Sequence, residues 1–281
     1  MQMPDLKLTS INGVELELYD TGGDGEPVAF VHAPIRHECY AVIQEPALTG
    51  RFRVIHYMRR GWGKSSTDGL PLTIAQQAED SRAVMQHLGI NRAHLVGQSY
   101  AGAILLQFAV DFPEAVHTLA LLEPGLPSVL ETSAEHGAAM AAVGPLLEAG
   151  DVEGALNAAF ETIAPGFRSS FDKTLPAGWY GRWVADLERV GFPHEIPALN
   201  VWQFTAEDAA KITAPVLNVT GAKTASFFTD IHNTVQQWIP HAERAVVPDS
   251  THAMLEEQPK ASAEILAGFF SRHPMPREAV A

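Results

Sequence analysis

Hydrophobic and polar positions change period several times along the chain. In "VELELYD" (14–20) they alternate, the pattern of an exposed antiparallel edge strand. "PVAFVHA" (27–33) and "FRVIHYM" (52–58) are short apolar runs that read as buried strands. Over 73–88, "TIAQQAEDSRAVMQHL", the spacing becomes helical. Ile74, Ala78, Val84, Met85 and Leu88 fall near one face, and Thr73 stands where a cap is needed. Strand-like "AHLVGQ" (93–98), a helix from about 100 to 111, and strand-like "VHTLALLE" (116–123) follow. "PVLNVTG" (215–221) and "ERAVVPD" (243–249) read as strands again, each followed by a helix, the last through "SAEILAGFFSRH" (262–273). Buried strands alternating with helices predict a mainly parallel sheet covered on both faces.

The stretch 124–210 breaks this rhythm. It is rich in Ala, Gly and Pro, carries Trp179, Trp183 and Trp202, and reads as helices and loops. The expected organisation is a core of residues 1–123 and 211–281 with 124–210 inserted as a helical cap; a long helical connection is the plainer alternative. A chain of 281 residues is ample for either.

Composition narrows the function classes. Hydrophobic residues are 46% and charged residues 19%, as in a globular enzyme. The formal net charge of −14 repels nucleic acid and anionic membrane, so neither is an expected partner. The single cysteine, Cys39, permits no intrachain disulfide. The start "MQMPDLKLTS" has no secretory pattern, and no apolar run approaches a bilayer span. A cytoplasmic protein without metal or cofactor is expected, since zinc-site spacing, G-x-G-x-x-G and a phosphate loop are all missing from the sequence. A small-molecule substrate is the expected partner; a homodimer stays open.

The candidate chemistry begins at Gly97-Gln98-Ser99-Tyr100-Ala101-Gly102, where a strand turns into a helix. An α/β sheet binds ligands beyond the carboxyl ends of its strands. A serine at such a corner exposes its Oγ and faces the helix's free N–H groups. The usual spacing is G-x-S-x-G; here Ala101 takes the last place, adding one methyl, and glycine follows it. Serine needs a base oriented by a third group. "VVPDSTHAMLEEQP" (246–259) supplies His252 after the last strand, in the chain order Ser, acid, His.

Six segments carry a resemblance: "FVHAPI" (30–35), "YMRRGWGKSS" (57–66), "VGQSYAG" (96–102), "LLEPGLP" (121–127), "PVLNVTGA" (215–222) and "PDSTHAMLEEQP" (248–259). With them the chain, from about residue 10 to 273, resembles the α/β-hydrolase fold family, close to its small capped bacterial esterases and lactonases. The resemblance implies a mainly parallel eight-stranded sheet, helices on both faces, and a helical cap inserted after the sixth strand. Many members carry the triad carboxylate just after the strand matching "PVLNVTG", but Gly221–Phe228 contain none, and Asp230 falls inside the next helix. Others place it at the end of the strand after the nucleophile helix, where this chain has Glu123. A carboxylate there is costly unless paired, and a histidine Nδ1–H is a suitable partner. Glu123 is the leading acid; Asp230, Asp249 and a Glu123 that merely anchors the cap stay open.

Two backbone N–H groups should face the oxyanion. The first is that of Tyr100. The second normally comes two residues after the loop histidine, here Pro34, which has no N–H. The amide of Ala33 or Ile35, or a side chain from Arg36 or His37, would have to replace it. Losing one donor costs roughly 3 kcal/mol of transition-state stabilisation, so either the loop is rearranged or the reaction is not ordinary ester cleavage. Arg36 and His37 are also candidates for substrate recognition. Met58 stands where relatives often have Asp or His, and Arg59-Arg60-Gly61 reads as a structural turn. Met140, Trp179, Trp183, Phe192, Trp202, Tyr100 and Phe228 are the expected pocket lining, suited to a hydrophobic or aromatic group. The leading expectation is a serine hydrolase cleaving a carboxylic ester or lactone through an acyl-enzyme on Ser99. The alternatives are a cofactor-free oxygenase or carbon–carbon hydrolase using the His252–acid pair as base, and a non-catalytic ligand-binding member.

Overall fold

The structure is a computed structural model and describes residues 4–168 and 175–276. Eight strands form one sheet: β1 (Lys7–Ile11), β2 (Val14–Asp20), β3 (Glu26–Val31), β4 (Phe52–Tyr57), β5 (Ala93–Gln98), β6 (Val116–Leu122), β7 (Val216–Gly221) and β8 (Glu243–Val247). Their order is β1-β2-β4-β3-β5-β6-β7-β8. β2 pairs antiparallel with β1 and β4, and every other pair is parallel. The expected α/β architecture is therefore present, with one correction. β2 is not an edge strand; β1, too polar at Lys7, Thr9 and Ser10 to show in the pattern, covers it.

β5 and β6 lie at the centre and are buried along their whole length, which is why they read as continuous apolar runs. Side-chain alternation divides them between two cores. Leu95, Leu119 and Leu121 pack with the helices Ile74–His87, Ser99–Asp111 and Ser226–Trp238. Val96, Ala120 and Leu122 pack with the last helix, Pro259–Arg272. Helix Ile74–His87 starts at a capping box: Thr73 Oγ1 accepts from Gln76 N (3.1 Å) and Gln76 Oε1 accepts from Thr73 N (2.9 Å). Its buried face also carries Gln77, Asp80 and Ser81.

Between β6 and β7 the described chain is helical, including Ala134–Glu148, Val152–Ile163, Trp179–Asp186, a π-helical turn Leu187–Glu195, and Ile196–Val201. Both ends of this insertion enter the sheet's own core through Leu126, Leu199 and Phe204. Its middle forms a third cluster, in which Leu156, Phe167, Tyr180, Trp183, Leu187 and Val190 meet Ile35, Tyr40, Met58 and Trp62. The insertion therefore rests on the loops that follow β3 and β4, at the carboxyl ends of the strands.

Candidate active site

Ser99 opens the helix that leaves β5 and holds φ at +52°, in the left-handed region. Such a backbone is costly for a non-glycine residue and persists only where its surroundings enforce it. Two glycines allow the corner. A Cβ on Gly97 would lie 2.8 Å from Ala101 O and from Leu105 Cδ1. One on Gly102 would lie 2.6 Å from Pro124 Cβ. The displaced glycine thus clears the chain leaving β6, whose Gly125 N–H donates to Ser99 O (2.7 Å). The Ala101 methyl is fully buried without needing that room.

Glu123 follows β6, also with positive φ, at +45°. Its N–H donates to Val219 O (3.1 Å), and its side chain is fully buried. Oε1 accepts from Thr220 Oγ1 (2.7 Å) and Gly221 N (2.9 Å). Oε2 accepts from Thr224 Oγ1 (3.1 Å) and lies 2.6 Å from His252 Nδ1. Three donors and the imidazole offset the cost of burying the carboxylate. Because a carboxylate only accepts, Nδ1 carries the proton, and in the neutral imidazole that makes Nε2 the acceptor. His252 is further held by Gln98, whose Nε2 donates to His252 O (2.6 Å) across 154 residues of chain. Phe228 stacks on its ring. Of the other acids considered, Asp230 is exposed in helix Ser226–Trp238, and Asp249 pairs with Lys223 at 2.9 Å.

In the loop after β3, residues 33–35 have no amide to spare. Pro34 has no N–H. Ile35 N–H donates to Ala33 O (2.6 Å), and Ala33 N–H donates to Glu38 Oε1. His32 Nδ1 also donates to Ala33 O (2.6 Å), and Trp183 Nε1 donates to Pro34 O (2.6 Å). Glu38 is buried, which pushes its carboxyl well above the usual range. Its Oε2 has no partner among the described residues. His32 is neutral. Burial, then the Arg59 charge, lowers it well below the ordinary value, and its Nε2 accepts from Arg59 N (3.0 Å).

Several residues expected to meet the ligand have partners within the protein. Arg36 pairs with Asp186 of the insertion (2.9 Å) and lies over the Trp179 ring. His37 Nε2 is 2.9 Å from Glu256 Oε1, with its ring edge-on to Trp183. The Tyr100 hydroxyl accepts from Gln77 Nε2 (2.7 Å) deep in the core, so only its backbone remains at the corner. Trp202 Nε1 donates to Gln107 Oε1 (2.8 Å), tying the end of the insertion to helix Ser99–Asp111. Trp179 and Phe192 pack into the third cluster, and Met140 is exposed. A small cavity lined by Leu156, Phe160, Phe167, Tyr180 and Trp183 lies within the insertion, away from Ser99, Glu123 and His252. Arg59 fulfils the structural role expected of its turn, donating through Nε to His32 O (2.7 Å), and also forms an ion pair with buried Glu195. Trp62 Nε1 donates to the same Glu195 (2.9 Å). Neither Glu195 nor Glu38 carries a motif that singles it out, and Gln77 shares its buried helix face with two other polar residues, Asp80 and Ser81.

With this geometry in place, comparison with known proteins gives the class. The profile of the Alpha/beta hydrolase family matches residues 28–265. The chain belongs to that family. It is 30% identical over 122 residues to a putative carbamate hydrolase, RutD, of Caulobacter vibrioides, covering 43% of this chain and 45% of that one. It is 36% identical over 115 residues to 2-hydroxy-6-oxo-6-phenylhexa-2,4-dienoate hydrolase of Comamonas testosteroni, covering 38% and 39%. The chain thus spans less than half the length of either relative. Among solved structures, Est816, described as an N-acyl homoserine lactone degrading enzyme, shares the fold with a TM-score of 0.73 and 23% identity over 92% of this chain and 98% of that one. Among the described residues no helix is long and apolar enough to cross a membrane.

Proposed function

We propose that the protein is a serine hydrolase of small carboxylic esters or lactones with a hydrophobic or aromatic part, working without metal or cofactor. The observation that carries this reading is the 2.6 Å contact between buried Glu123 and His252 Nδ1, with a serine held at φ +52° at the end of the strand next to the one Glu123 follows. Ser99 Oγ attacks the carbonyl carbon while His252 Nε2 takes its proton. Glu123 holds the imidazole in the tautomer that leaves Nε2 free. The Tyr100 N–H, in the first turn of its helix where no intrahelical acceptor exists, donates to the oxyanion. His252 returns the proton to the leaving oxygen, and water activated by the same imidazole releases the acyl group. Residues 124–210 act as the cap that excludes bulk water. The site takes a small molecule rather than nucleic acid or a membrane, as the charge of −14 favours, and the expected setting is the cytoplasm.

The test is labelling by a fluorophosphonate together with turnover of p-nitrophenyl acetate. Both are expected in the wild type and absent in Ser99→Ala; a folded wild type that shows neither refutes the reading.

One observation favours a second reading. Ala33, Pro34 and Ile35 have no amide to spare, so none of these three supplies the second oxyanion donor. A carbon–carbon hydrolase or cofactor-free oxygenase, in which His252 and Glu123 deprotonate a hydroxylated substrate, depends less on that donor. Substrate-dependent oxygen uptake that survives Ser99→Ala would establish the oxygenase.

A further inference from the structure

Phe228 was expected to line the pocket, yet its ring lies flat on the imidazole of His252. The ring centroids are 3.8 Å apart and the planes 6° from parallel. Aromatic rings ordinarily prefer offset or edge-to-face contacts. Here both partners are held in place. Phe228 sits in the first turn of helix Ser226–Trp238, its N–H donating to Ala225 O (3.1 Å) and its ring packed against Phe227 at 4.4 Å. The same turn is tied to the insertion, because Ser226 N donates to Glu135 Oε2 (3.1 Å). His252 is fixed along its edge by Glu123 and through its carbonyl by Gln98. Both rings are buried, so water does not screen what passes between them.

We infer that Phe228 is a positioning residue for His252. It holds the plane of the imidazole and favours the imidazolium formed when the serine proton is taken up. A neutral imidazole gains mainly dispersion from the stack; an imidazolium also gains the attraction of a cation for the negative face of the benzene ring. Glu123 constrains rotation at one edge, and Phe228 constrains tilt. This inference rests on the serine-hydrolase reading.

Two substitutions separate the ring's electrons from its bulk. Phe228→Leu removes the π face, while 3,4,5-trifluorophenylalanine at position 228 keeps the ring and drains its face. The second-order rate constant for fluorophosphonate labelling of Ser99 is expected to fall about tenfold with the fluorinated ring and further with leucine. The KM for p-nitrophenyl acetate should stay within about twofold, because Phe228 acts through His252 and not on the ester. A fluorinated variant that labels at the wild-type rate overturns the electronic role. The placement is read separately from the His252 ring protons, which the stack should shift upfield in the wild type and release in Phe228→Leu. If those protons move as expected while the wild type takes no label, the hydrolase reading fails and the clamp stands; if they do not move, the clamp fails.

Discussion

Ser99, Glu123 and Asp249 share an unusual property with Asn12: each is a non-glycine residue at positive φ. At Ser99 and Glu123 the strain coincides with ends of adjacent strands, and hydrogen bonds enforce both. Glu123 accepts from Thr220, Gly221 and Thr224 as well as facing His252, so it does more than orient a ring. Glu123→Gln places an amide where only acceptors fit. Its NH2 group must face either the donors or the imidazole Nδ1–H. A fall in kcat of about 10³–10⁴ is expected from the wrong tautomer, measured on any ester the wild type turns over. Glu38 offers a contrasting case. Since burial favours its neutral form, Glu38→Gln retains the acceptor for Ala33 N–H and should fold with nearly wild-type stability. Glu38→Leu strands that amide and should lose about 1–3 kcal/mol in urea unfolding.

At the scale of elements, the serine corner explains its own departure from the expected spacing. Ala101 fits the corner and Gly102 serves Pro124. Ala101→Gly, which restores G-x-S-x-G, is expected to leave activity within a few-fold and cost about 0.5–1 kcal/mol as a glycine within a helix. The insertion is secured to the core by polar contacts as well as packing. Glu195 answers the buried Arg59 guanidinium and the Trp62 indole, and Asp186 answers Arg36. Removing one member of a buried pair leaves the other uncompensated. Glu195→Ala should therefore destabilise by about 3–5 kcal/mol in thermal or chemical unfolding, well beyond a typical surface substitution. These elements were unevenly legible. The strands β3 to β7 and the long helices showed in their periodicity because they bury continuous faces. β1 did not, since a polar edge strand owes its place to pairing with β2.

Across the whole molecule, buried histidines set the response to acid. Burial, opposed by a bond to Phe30 O, lowers His56 to about 4. Burial, with His117 nearby, lowers His94 to about 4. Burial and the Arg59 charge also hold His32 well below its ordinary value. In the unfolded chain each takes up a proton near its ordinary value of about 6.5, while in the fold it stays neutral. The unfolded state therefore binds more protons between about pH 6.5 and 4, so stability falls as pH falls through that window. The slope contributed by each histidine approaches about 1.4 kcal/mol per pH unit. Unfolding midpoints compared at pH 7.5, 6 and 5 should drop progressively, and a flat profile would contradict the neutral buried rings.

The sequence by itself determined the alternation of strands and helices, the serine corner and the histidine after the last strand. Each is a local consequence of periodicity or turn chemistry, and so is written in neighbouring residues, whereas Glu123 came forward as the leading acid through the family resemblance. Tertiary structure alone decided which side chains touch. It gave Tyr100, Arg36, His37, Trp183 and Trp202, all expected near the ligand, partners within the protein, occupied the Ala33 amide through Glu38, and laid Phe228 on His252. Such contacts join residues far apart in the chain, and their energies depend on distances that no local pattern encodes.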